Sequence, residues 1–330
     1  MEGFVKILGL FIRVYPLSSD QLDNAVAILK QGGLVAIPTE TVYGLGADAT
    51  NPAALQKIFS AKKRPEHHPL IVHLGDIAWL SHWARDISED ALKLAEAFWP
   101  GPLTLILKKA PHVSDIITGG QDTIGLRIPE HLIALELLKK FGNGIAAPSA
   151  NRFGRISPTT ANAVYEELGD AVDLILDGGP CKVGVESTIV DVSGDEPVIL
   201  RPGMISSDQI ENVLQKKLST PKKNAPRVSG SLDSHYAPET KVILMEQAEI
   251  FSFAEGKNSV AVLTRTPEMF NDNYCVTSMP EKAEQYAQNL YQALRELDKK
   301  KFSCILVENV PDQSEWQAIR DRLKRASNQA

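Results

Sequence analysis

Short apolar runs rich in β-branched residues alternate along the N-terminal part of the chain with segments of helical spacing. Runs of this kind, bounded by glycine, proline and polar residues, are typical of buried strands. Three of the intervening segments begin at a capping residue: Asn51, Ser88, and Ser157 followed by Pro158. The predicted strands are residues 34–38, 70–74, 103–109, 124–128, 173–177 and 187–192. The alternation predicts an α/β fold with a mixed, twisted sheet.

The character of the sequence changes at residues 219–240, which are rich in Ser, Pro, Lys and Asn and hold almost no aliphatic side chains. A long segment of this composition between apolar regions indicates a linker or a lid. Beyond it, a helix is predicted over residues 281–301, with Ala283, Tyr291 and Leu297 on its apolar face. Four short strands are predicted around this helix, at residues 241–245, 259–264, 274–278 and 302–310.

The chain is therefore predicted to hold a first domain over residues 14–218, a linker or lid over 219–240, and a smaller α/β domain over 241–330. The second domain has no glycine-rich phosphate loop, so its sequence gives no indication of an independent nucleotide site. The hydrophobic fraction of 43% and the charged fraction of 23% are ordinary for a soluble globular chain of 330 residues.

The cysteines and the N-terminal residues give expectations about the cellular compartment and about membrane association. Cys181, Cys275 and Cys304 are widely spaced and form no CxxC pair, so we expect buried thiols in a reducing, cytoplasmic environment. The N-terminal run VKILGLFIRV is too short to span a bilayer and contains Lys6 and Arg13. We expect no membrane association, and a flexible end that leads into the first strand.

A basic loop interrupts this acidic chain, whose formal net charge is -6. Residues 62–74, KKRPEHHPLIVHL, contain three consecutive cations and three of the seven histidines. Pro65 and Pro69 disfavour helix and remove two backbone donors, which predicts a rigid loop before a strand. A rigid basic loop indicates a site for an anion. Zinc binding by His68 and His73 is a weaker hypothesis, because no acidic or cysteine partner lies nearby at a ligand spacing.

Two hydroxyl-rich segments follow apolar strands. Residues 38–50, PTETVYGLGADAT, are either a tight strand-to-helix connection or part of a site. Residues 146–160 offer Ser149 and Asn151, and then a helix start at Ser157 that either favours an anion or is an ordinary cap. Both segments supply hydroxyl or amide groups where the chain turns.

Two arginines lie in or next to predicted strands. Arg127 interrupts an apolar strand and Arg201 ends another, and strand arginines are usually exposed; beside the basic loop, however, they would form a cationic pocket. The sequence contains no P-loop, no GxGxxG after the first strand, no GxSxG elbow and no HExxH motif. The chemistry that remains is group transfer by positioning and charge neutralisation, with the substrate as nucleophile.

Seven motifs occur in the order found in the YrdC-like family: IPTETVYGLG, KKRPEHHPLIVH, FWPGPLTLIL, GLRIPEH, APSAN, GVESTIVD and ILRPG. Followed by HYAP and an α/β tail, they resemble the two-domain threonylcarbamoyl-AMP synthases of that family. The resemblance implies an open twisted mixed sheet with a large cleft, and a smaller Rossmann-like C-terminal domain. It also implies a nucleotidyltransferase that joins L-threonine, bicarbonate or CO2, and ATP into L-threonylcarbamoyladenylate and pyrophosphate, for N6-threonylcarbamoyladenosine (t6A) in tRNA.

The same resemblance implies roles for particular residues. It assigns catalysis to a tetrad of residues, Lys62, Arg64, Ser149 and Asn151. It assigns L-threonine binding to Thr41, His73, Arg127, Ser149 and Ser187. It assigns ATP binding to Arg64, His68, Thr123, Asn151, Thr159, Arg201 and Tyr236. We expect no protein ligand to a metal, and a Mg²⁺ cofactor bound mainly through the phosphates of ATP.

Two departures from the family pattern stand out. His68 replaces the asparagine expected before the second proline of the basic loop, which would exchange a neutral contact for a charge-dependent one. Phe153 replaces a serine expected shortly after the APSAN motif, and we expect neither departure to touch the tetrad.

Two other functions stay open at this point. One is an RNA-binding module, although the net negative charge and the lack of a Lys/Arg stripe count against it. The other is a carbamoyl-transfer domain of the hydrogenase-maturation kind, which would carry zinc-finger and acylphosphatase-like regions that we do not find. The expected partners are the three substrates and the downstream machinery that transfers threonylcarbamoyl to tRNA, with direct tRNA binding undecided.

Overall fold

The computed structural model describes residues 3–7, 10–14, 19–222, 224–230, 232, 234–255, 259–270 and 274–328. At the N-terminus β1 (Gly3–Ile7) pairs antiparallel with β2 (Leu10–Val14), a hairpin that the sequence analysis did not predict. Residues 8, 9 and 15–18 lie outside the described residues. Within the described part of the chain, no helix is long and apolar enough to cross a membrane.

The first domain is built on a ten-stranded mixed sheet in the order β10-β3-β4-β9-β5-β8-β7-β11-β12, with β6 paired to β7. Its strands are β3 (Val35–Ile37), β4 (Gly44–Asp48), β5 (Ile71–His73), β6 (Ala84–Arg85), β7 (Leu103–Lys109), β8 (Thr123–Arg127), β9 (Ile145–Ala146), β10 (Leu174–Ile175), β11 (Thr188–Asp191) and β12 (Val198–Arg201). The sheet combines parallel pairs, such as β5 with β8, and antiparallel pairs, such as β3 with β4. The predicted mixed sheet is confirmed.

Eight helices pack against this sheet: α1 (Ser19–Lys30), α2 (Pro52–Lys62), α3 (Leu80–Trp83), α4 (Glu89–Phe98), α5 (Asp115–Thr118), α6 (Leu132–Phe141), α7 (Ala161–Leu168) and α8 (Ser207–Leu214). The predicted caps Asn51 and Ser88 are confirmed, since their side chains accept hydrogen bonds from the first turns of α2 and α4. The predicted start at Ser157 is wrong. Thr160 caps α7 instead, because the Ser157 hydroxyl is already bound to Glu186 at 2.5 Å.

Residues 38–50 contain strand β4 and are therefore more than a strand-to-helix connection. The amide of Leu45 donates to the carbonyl of Pro148 at 2.7 Å, and the amide of Ala150 donates to the carbonyl of Tyr43 at 2.8 Å. A Cβ on Gly44 would lie 3.1 Å from the Cβ of Ala147, so glycine allows this close approach. The pairing brings the threonine-rich turn beside the turn that carries Ser149.

The second domain holds an all-parallel four-stranded sheet in the order β13-β16-β14-β15. Its elements are β13 (Lys241–Met245), α9 (Gln247–Ala254), β14 (Val260–Thr264), β15 (Cys275–Ser278), α10 (Ala283–Lys299), β16 (Cys304–Glu308) and α11 (Gln317–Ser327). Ala261 and Ile305 pack in one core with α10 and α11, while Val262 and Leu306 pack in another with α9. This layering confirms the smaller Rossmann-like α/β domain.

The two domains meet along α10. A Cβ on Gly184, whose φ is +81°, would lie 2.4 Å from the Cα of Gln288, so the helix touches the backbone of the first domain directly. Arg295 on the same helix forms a 2.8 Å ion pair with Glu167 and donates to the carbonyl of Ile156 at 2.9 Å. The second domain therefore lies directly against the first.

Candidate active site

A small polar cavity lies where the strands of the first domain meet residues 229–236. Its volume is about 40 Å³. Eight of the predicted site residues line it: Thr41, Arg64, His73, Arg127, Ser149, Ser187, Arg201 and Tyr236. Residues that are distant in sequence thus converge on one site, as expected from the ordered motifs.

Five predicted residues, Lys62, His68, Thr123, Asn151 and Thr159, do not line this cavity. Thr123 lines a neighbouring small pocket, which shares Ile71 and Ser229 with the main cavity. Thr159 is buried, and its carbonyl accepts a hydrogen bond from the amide of Cys181. The resemblance implies a catalytic role for Lys62 and Asn151, and a role in ATP binding for His68, Thr123, Asn151 and Thr159. These roles stay predictions.

Lys62 does not line the cavity but binds the backbone of the turn that carries Ser149 and Asn151. Its ammonium donates to the carbonyls of Ser149 and Asn151, both at 2.5 Å. Burial, together with the positive charge of Arg64, holds the pKa of Lys62 well below its ordinary value. The amide of Asn151 in turn donates to the carbonyls of Arg152 and Arg155, both at 2.8 Å. In this geometry Lys62 and Asn151 fix the backbone that presents Ser149 to the cavity.

Arg64 and Arg201 supply the positive charge of the cavity. Both are buried, at 6% and 4% exposure, so Arg201 is not the solvated strand arginine that its position usually implies. Arg64 donates to the carbonyl of Pro69 at 2.8 Å and to the hydroxyl of Ser229 at 2.9 Å. Arg201 donates to the carbonyls of Ser187 and Ser229 at 2.9 and 3.0 Å. Burial lowers the pKa of Arg64 to about 10, which leaves it charged at neutral pH.

Arg127 is also buried, and it is paired with a carboxylate that the sequence analysis missed. Its guanidinium forms a 2.6 Å ion pair with Glu40 and donates to the hydroxyl of Thr41 at 2.9 Å. Arg127 is therefore neutralised by Glu40, and it holds Thr41 at the cavity. Burial and the charge of Arg127 lower the pKa of His73 to about 3, so this imidazole is neutral at pH 7.

Glu186 is a second carboxylate that the sequence analysis missed, although it lies inside the GVESTIVD motif. It lines the cavity and is 5% exposed. Its carboxylate accepts hydrogen bonds from Ser157 at 2.5 Å, from Tyr291 at 2.9 Å and from Arg322 at 2.7 Å. Burial opposes its ionisation, but Arg322 and then Arg201 outweigh burial and lower the pKa of Glu186 to about 2.

Part of the predicted linker or lid lines the cavity. Ser229, Gly230, His235 and Tyr236 all line it, while residues 231 and 233 of the predicted linker or lid, like residue 223, lie outside the described residues. A Cβ on Gly230, whose φ is +81°, would lie 1.9 Å from the hydroxyl oxygen of Tyr236, so glycine is required in this arrangement. The Tyr236 ring is 1% exposed and also packs on the second domain.

The two departures from the family pattern contact each other. The rings of His68 and Phe153 lie 4.9 Å apart, and the Phe153 ring centre lies 5.5 Å from the guanidinium carbon of Arg64. The expectation that neither departure touches the tetrad is therefore wrong for Phe153. Partial burial and the charge of Arg64 lower the pKa of His68 to about 4. This environment favours the neutral imidazole, and the charge-dependent contact of His68 stays a prediction.

These features define a two-domain α/β protein with a buried, cationic and hydroxyl-lined cavity, a combination suited to a small anionic ligand. Residues 27–203 match the family described as telomere recombination, in the Sua5, YciO and YrdC group. Residues 205–328 match the family described as the threonylcarbamoyl-AMP synthase C-terminal domain.

Relatives match along most of the chain. The threonylcarbamoyl-AMP synthase of Bacillus subtilis is 41% identical over 323 residues, which cover 93% of each chain. That of Pyrococcus abyssi is 39% identical over 318 residues, which cover 92% of this chain and 93% of the relative. The crystal structure of P. abyssi Sua5 complexed with L-threonine superposes with a TM-score of 0.87 at 37% identity, covering 95% of this chain and 96% of that one. The chain therefore belongs to the family of threonylcarbamoyl-AMP synthases.

Proposed function

We propose that this protein is a threonylcarbamoyl-AMP synthase, a nucleotidyltransferase that makes L-threonylcarbamoyladenylate and pyrophosphate from L-threonine, bicarbonate or CO2, and ATP. The adenylate would supply the tRNA-modifying machinery that forms t6A. The observation that carries the proposal is the pair of chemistries that line one cavity. Thr41, His73 and Ser149 offer neutral polar groups, and Arg64 and Arg201 offer positive charge. The neutral groups suit an amino acid, and the arginines suit a phosphate chain.

The reaction needs no nucleophile from the protein. The neutral amine of threonine attacks CO2 with loss of a proton, or bicarbonate with loss of water, to give N-carboxythreonine. The new carboxylate then attacks the α-phosphorus of ATP in line, and the bond from this phosphorus to the departing pyrophosphate breaks. Two anions must approach each other in the second step. At about 4 Å and an effective dielectric near 20, two unit charges repel by roughly 4 kcal/mol. Arg64 and Arg201 are the cations placed to offset this repulsion, while Lys62 is committed to two backbone carbonyls.

A Mg²⁺ ion fits this site only as a companion of the nucleotide. The carboxylate that lines the described cavity, that of Glu186, is already bound to Arg322, which favours an ion held by phosphate oxygens and water. Bound in that way, Mg²⁺ would supply further positive charge at the phosphates. The arginines would still have to position the phosphate chain against threonine.

The linker or lid predicted over residues 219–240 is proposed to act as a lid, through the part of residues 229–236 that lines the cavity. A cavity of about 40 Å³ is far smaller than the roughly 300–1,000 Å³ of typical ligand pockets, so ATP can enter only when a wall moves. Ser229 occupies hydrogen-bonding positions of both cavity arginines, where phosphate oxygens would otherwise lie. A closed lid would also protect the adenylate, a reactive mixed anhydride, from water. The competing interpretation is a tether, with Tyr236 serving only to pack the domains together.

One experiment tests the proposed function directly. The purified chain is incubated with ATP, Mg²⁺, radiolabelled bicarbonate and L-threonine, and the product is identified by chromatography and mass spectrometry. We expect labelled threonylcarbamoyladenylate, with pyrophosphate released only when threonine and bicarbonate are both present. Activity with carbamoyl phosphate in place of bicarbonate would indicate a carbamoyl-transfer domain. RNA binding without pyrophosphate release would indicate a binding module.

A further inference from the structure

Glu186 is an unusual residue for a cavity that is proposed to bind phosphate. Its carboxylate lines the cavity next to Ser187, whose carbonyl and hydroxyl both accept hydrogen bonds from Arg201. A buried negative charge at this position repels an anionic substrate and competes for the nearest cation. Arg201 is such a cation within the first domain, since it lines the same cavity as Glu186 and its positive charge helps to lower the Glu186 pKa. The carboxylate of Glu186 therefore needs another cationic partner if Arg201 is to bind phosphate.

The second domain supplies that partner. Arg322 on α11 has no exposed side-chain surface, and its Nε donates to Glu186 at 2.7 Å. Tyr291 on α10 donates to the same carboxylate oxygen at 2.9 Å. The guanidinium of Arg322 also forms a 2.6 Å ion pair with Asp321. A carboxylate of the first domain is thus neutralised by a cation that enters from the second domain.

The same two side chains also hold the end of the proposed lid. The Tyr236 ring centre lies 4.9 Å from the guanidinium carbon of Arg322, and the ring stacks on Tyr291 at 6.0 Å. The amide of His235 donates to the carbonyl of Arg325, one turn further along α11, at 3.3 Å. The contacts to Glu186 and to Tyr236 therefore depend on one helix pair of the second domain.

We propose that Arg322 and Tyr291 are positioning residues of the active site: by binding Glu186 and Tyr236 they leave Arg201 free for the phosphates of ATP and set the closed position of the lid. This inference rests on the proposed function and gives the C-terminal domain a part in it. Without Arg322, the unpaired carboxylate turns to Arg201, which lines the same cavity and helps to lower the Glu186 pKa, whereas Lys62 is held by two backbone carbonyls. ATP binding then weakens for an electrostatic reason rather than through loss of fold.

The test is ATP binding in the absence of turnover, measured by calorimetry with ATP and Mg²⁺ and without threonine or bicarbonate. Arg322→Met should raise the Kd for ATP at least fivefold, and Arg322→Lys should raise it less. The double variant Arg322→Met with Glu186→Gln should bring the Kd back toward that of the parent protein, because the unpaired charge is gone. Tyr291→Phe keeps the ring and removes one hydrogen bond to Glu186, and should raise the Kd about twofold to threefold.

A matched control separates this role from simple docking of the domains. Arg295 also crosses the interface, to Glu167, and lies outside the cavity. Arg295→Met should lower the melting temperature and leave the Kd for ATP within twofold of the parent value. The inference is overturned if Arg322→Met changes the Kd less than fivefold, or if the Glu186→Gln exchange does not improve it. Absence of adenylate formation by the parent protein would instead overturn the proposed function, so the two failures are distinguishable.

Discussion

The guanidinium of Arg64 donates a hydrogen bond of 2.9 Å to the hydroxyl of Ser229, and so joins the basic loop to the segment that closes the cavity. Arg201 donates to the carbonyl of the same serine at 3.0 Å. Two buried arginines that are distant in the sequence therefore converge on one residue. Under the proposed function, the phosphate oxygens of ATP would replace these two acceptors.

The first prediction concerns Arg64. Arg64→Ala should lower kcat/KM at least about 10²-fold, because a charge-assisted contact to the phosphates is lost in a preorganised cavity. Arg64→Lys should recover only part of this loss, since lysine keeps the charge but not the forked geometry. Steady-state kinetics at saturating threonine and bicarbonate measure both, with circular dichroism as the check on folding. Near-normal turnover of Arg64→Ala with saturating ATP would show that Arg64 does not act on phosphate.

The second prediction concerns the choice of amino acid. Thr41 is held by Arg127 at 2.9 Å and lies 2.9 Å from the hydroxyl of Thr39, so its position is fixed before substrate arrives. A site built to hydrogen-bond a substrate hydroxyl rejects analogues that lack it. L-Threonine should therefore be preferred over 2-aminobutyrate and valine by at least about 10²-fold in kcat/KM. Competition assays with the three amino acids measure the ratio, and equal rates would remove the proposed specificity.

Much of the fold could be predicted because its signals are local. The apolar runs that predicted β7 and β13 have the same bounds as the observed strands, and Asn51 followed by Pro52 predicted the start of α2. The carboxylates Glu40 and Glu186 could not be predicted in the same way. Their arginine partners lie 87 and 136 residues away along the chain, and no local pattern reports such a pairing.

The start of α7 shows how a distant contact overrides a local signal. Ser157 followed by Pro158 is a good cap by sequence, but the serine hydroxyl is bound to Glu186, which in turn is held by the second domain. The helix therefore begins one turn later, with Thr160 as its cap. Residue type and spacing cannot show which of two acceptable caps a tertiary contact removes.

The third prediction is a loss of stability in mild acid. Burial, opposed by Glu186 and assisted by Arg64, lowers the pKa of His235 to about 3, and burial likewise lowers the pKa of His73 to about 3. An unfolded histidine has a pKa near 6.5, so below that pH the unfolded chain binds more protons than the native one, and stability falls with pH. At pH 5 each histidine should contribute a loss of roughly 2 kcal/mol.

Urea unfolding at several pH values between 5 and 7 measures this effect. Most carboxylates stay ionised in this range in both the folded and the unfolded state. His235→Asn should flatten the dependence of the unfolding free energy on pH. His82→Asn is the matched control, because His82 is exposed and should leave the dependence unchanged. A parent protein equally stable at pH 5 and pH 7 would show that these imidazoles are not held neutral by the fold.

The last prediction decides between a lid and a tether for residues 229–236. Lys222 and Arg227 lie just before this segment and are trypsin sites, whereas Lys217 is an exposed site outside it, with 90% of its side-chain surface exposed. If the segment opens to admit ATP and closes over the bound substrates, ATP and threonine together should slow cleavage after Lys222 and Arg227 several-fold and leave cleavage after Lys217 unchanged.

Gly230→Ala should abolish this protection, because its Cβ would overlap the Tyr236 hydroxyl in the closed arrangement. Gly194→Ala is its control, since a Cβ there meets nothing within 4 Å. If added ligands do not change the cleavage rates of the parent or of either variant, the segment is a tether. ATP would then enter through movement of another wall of the cavity.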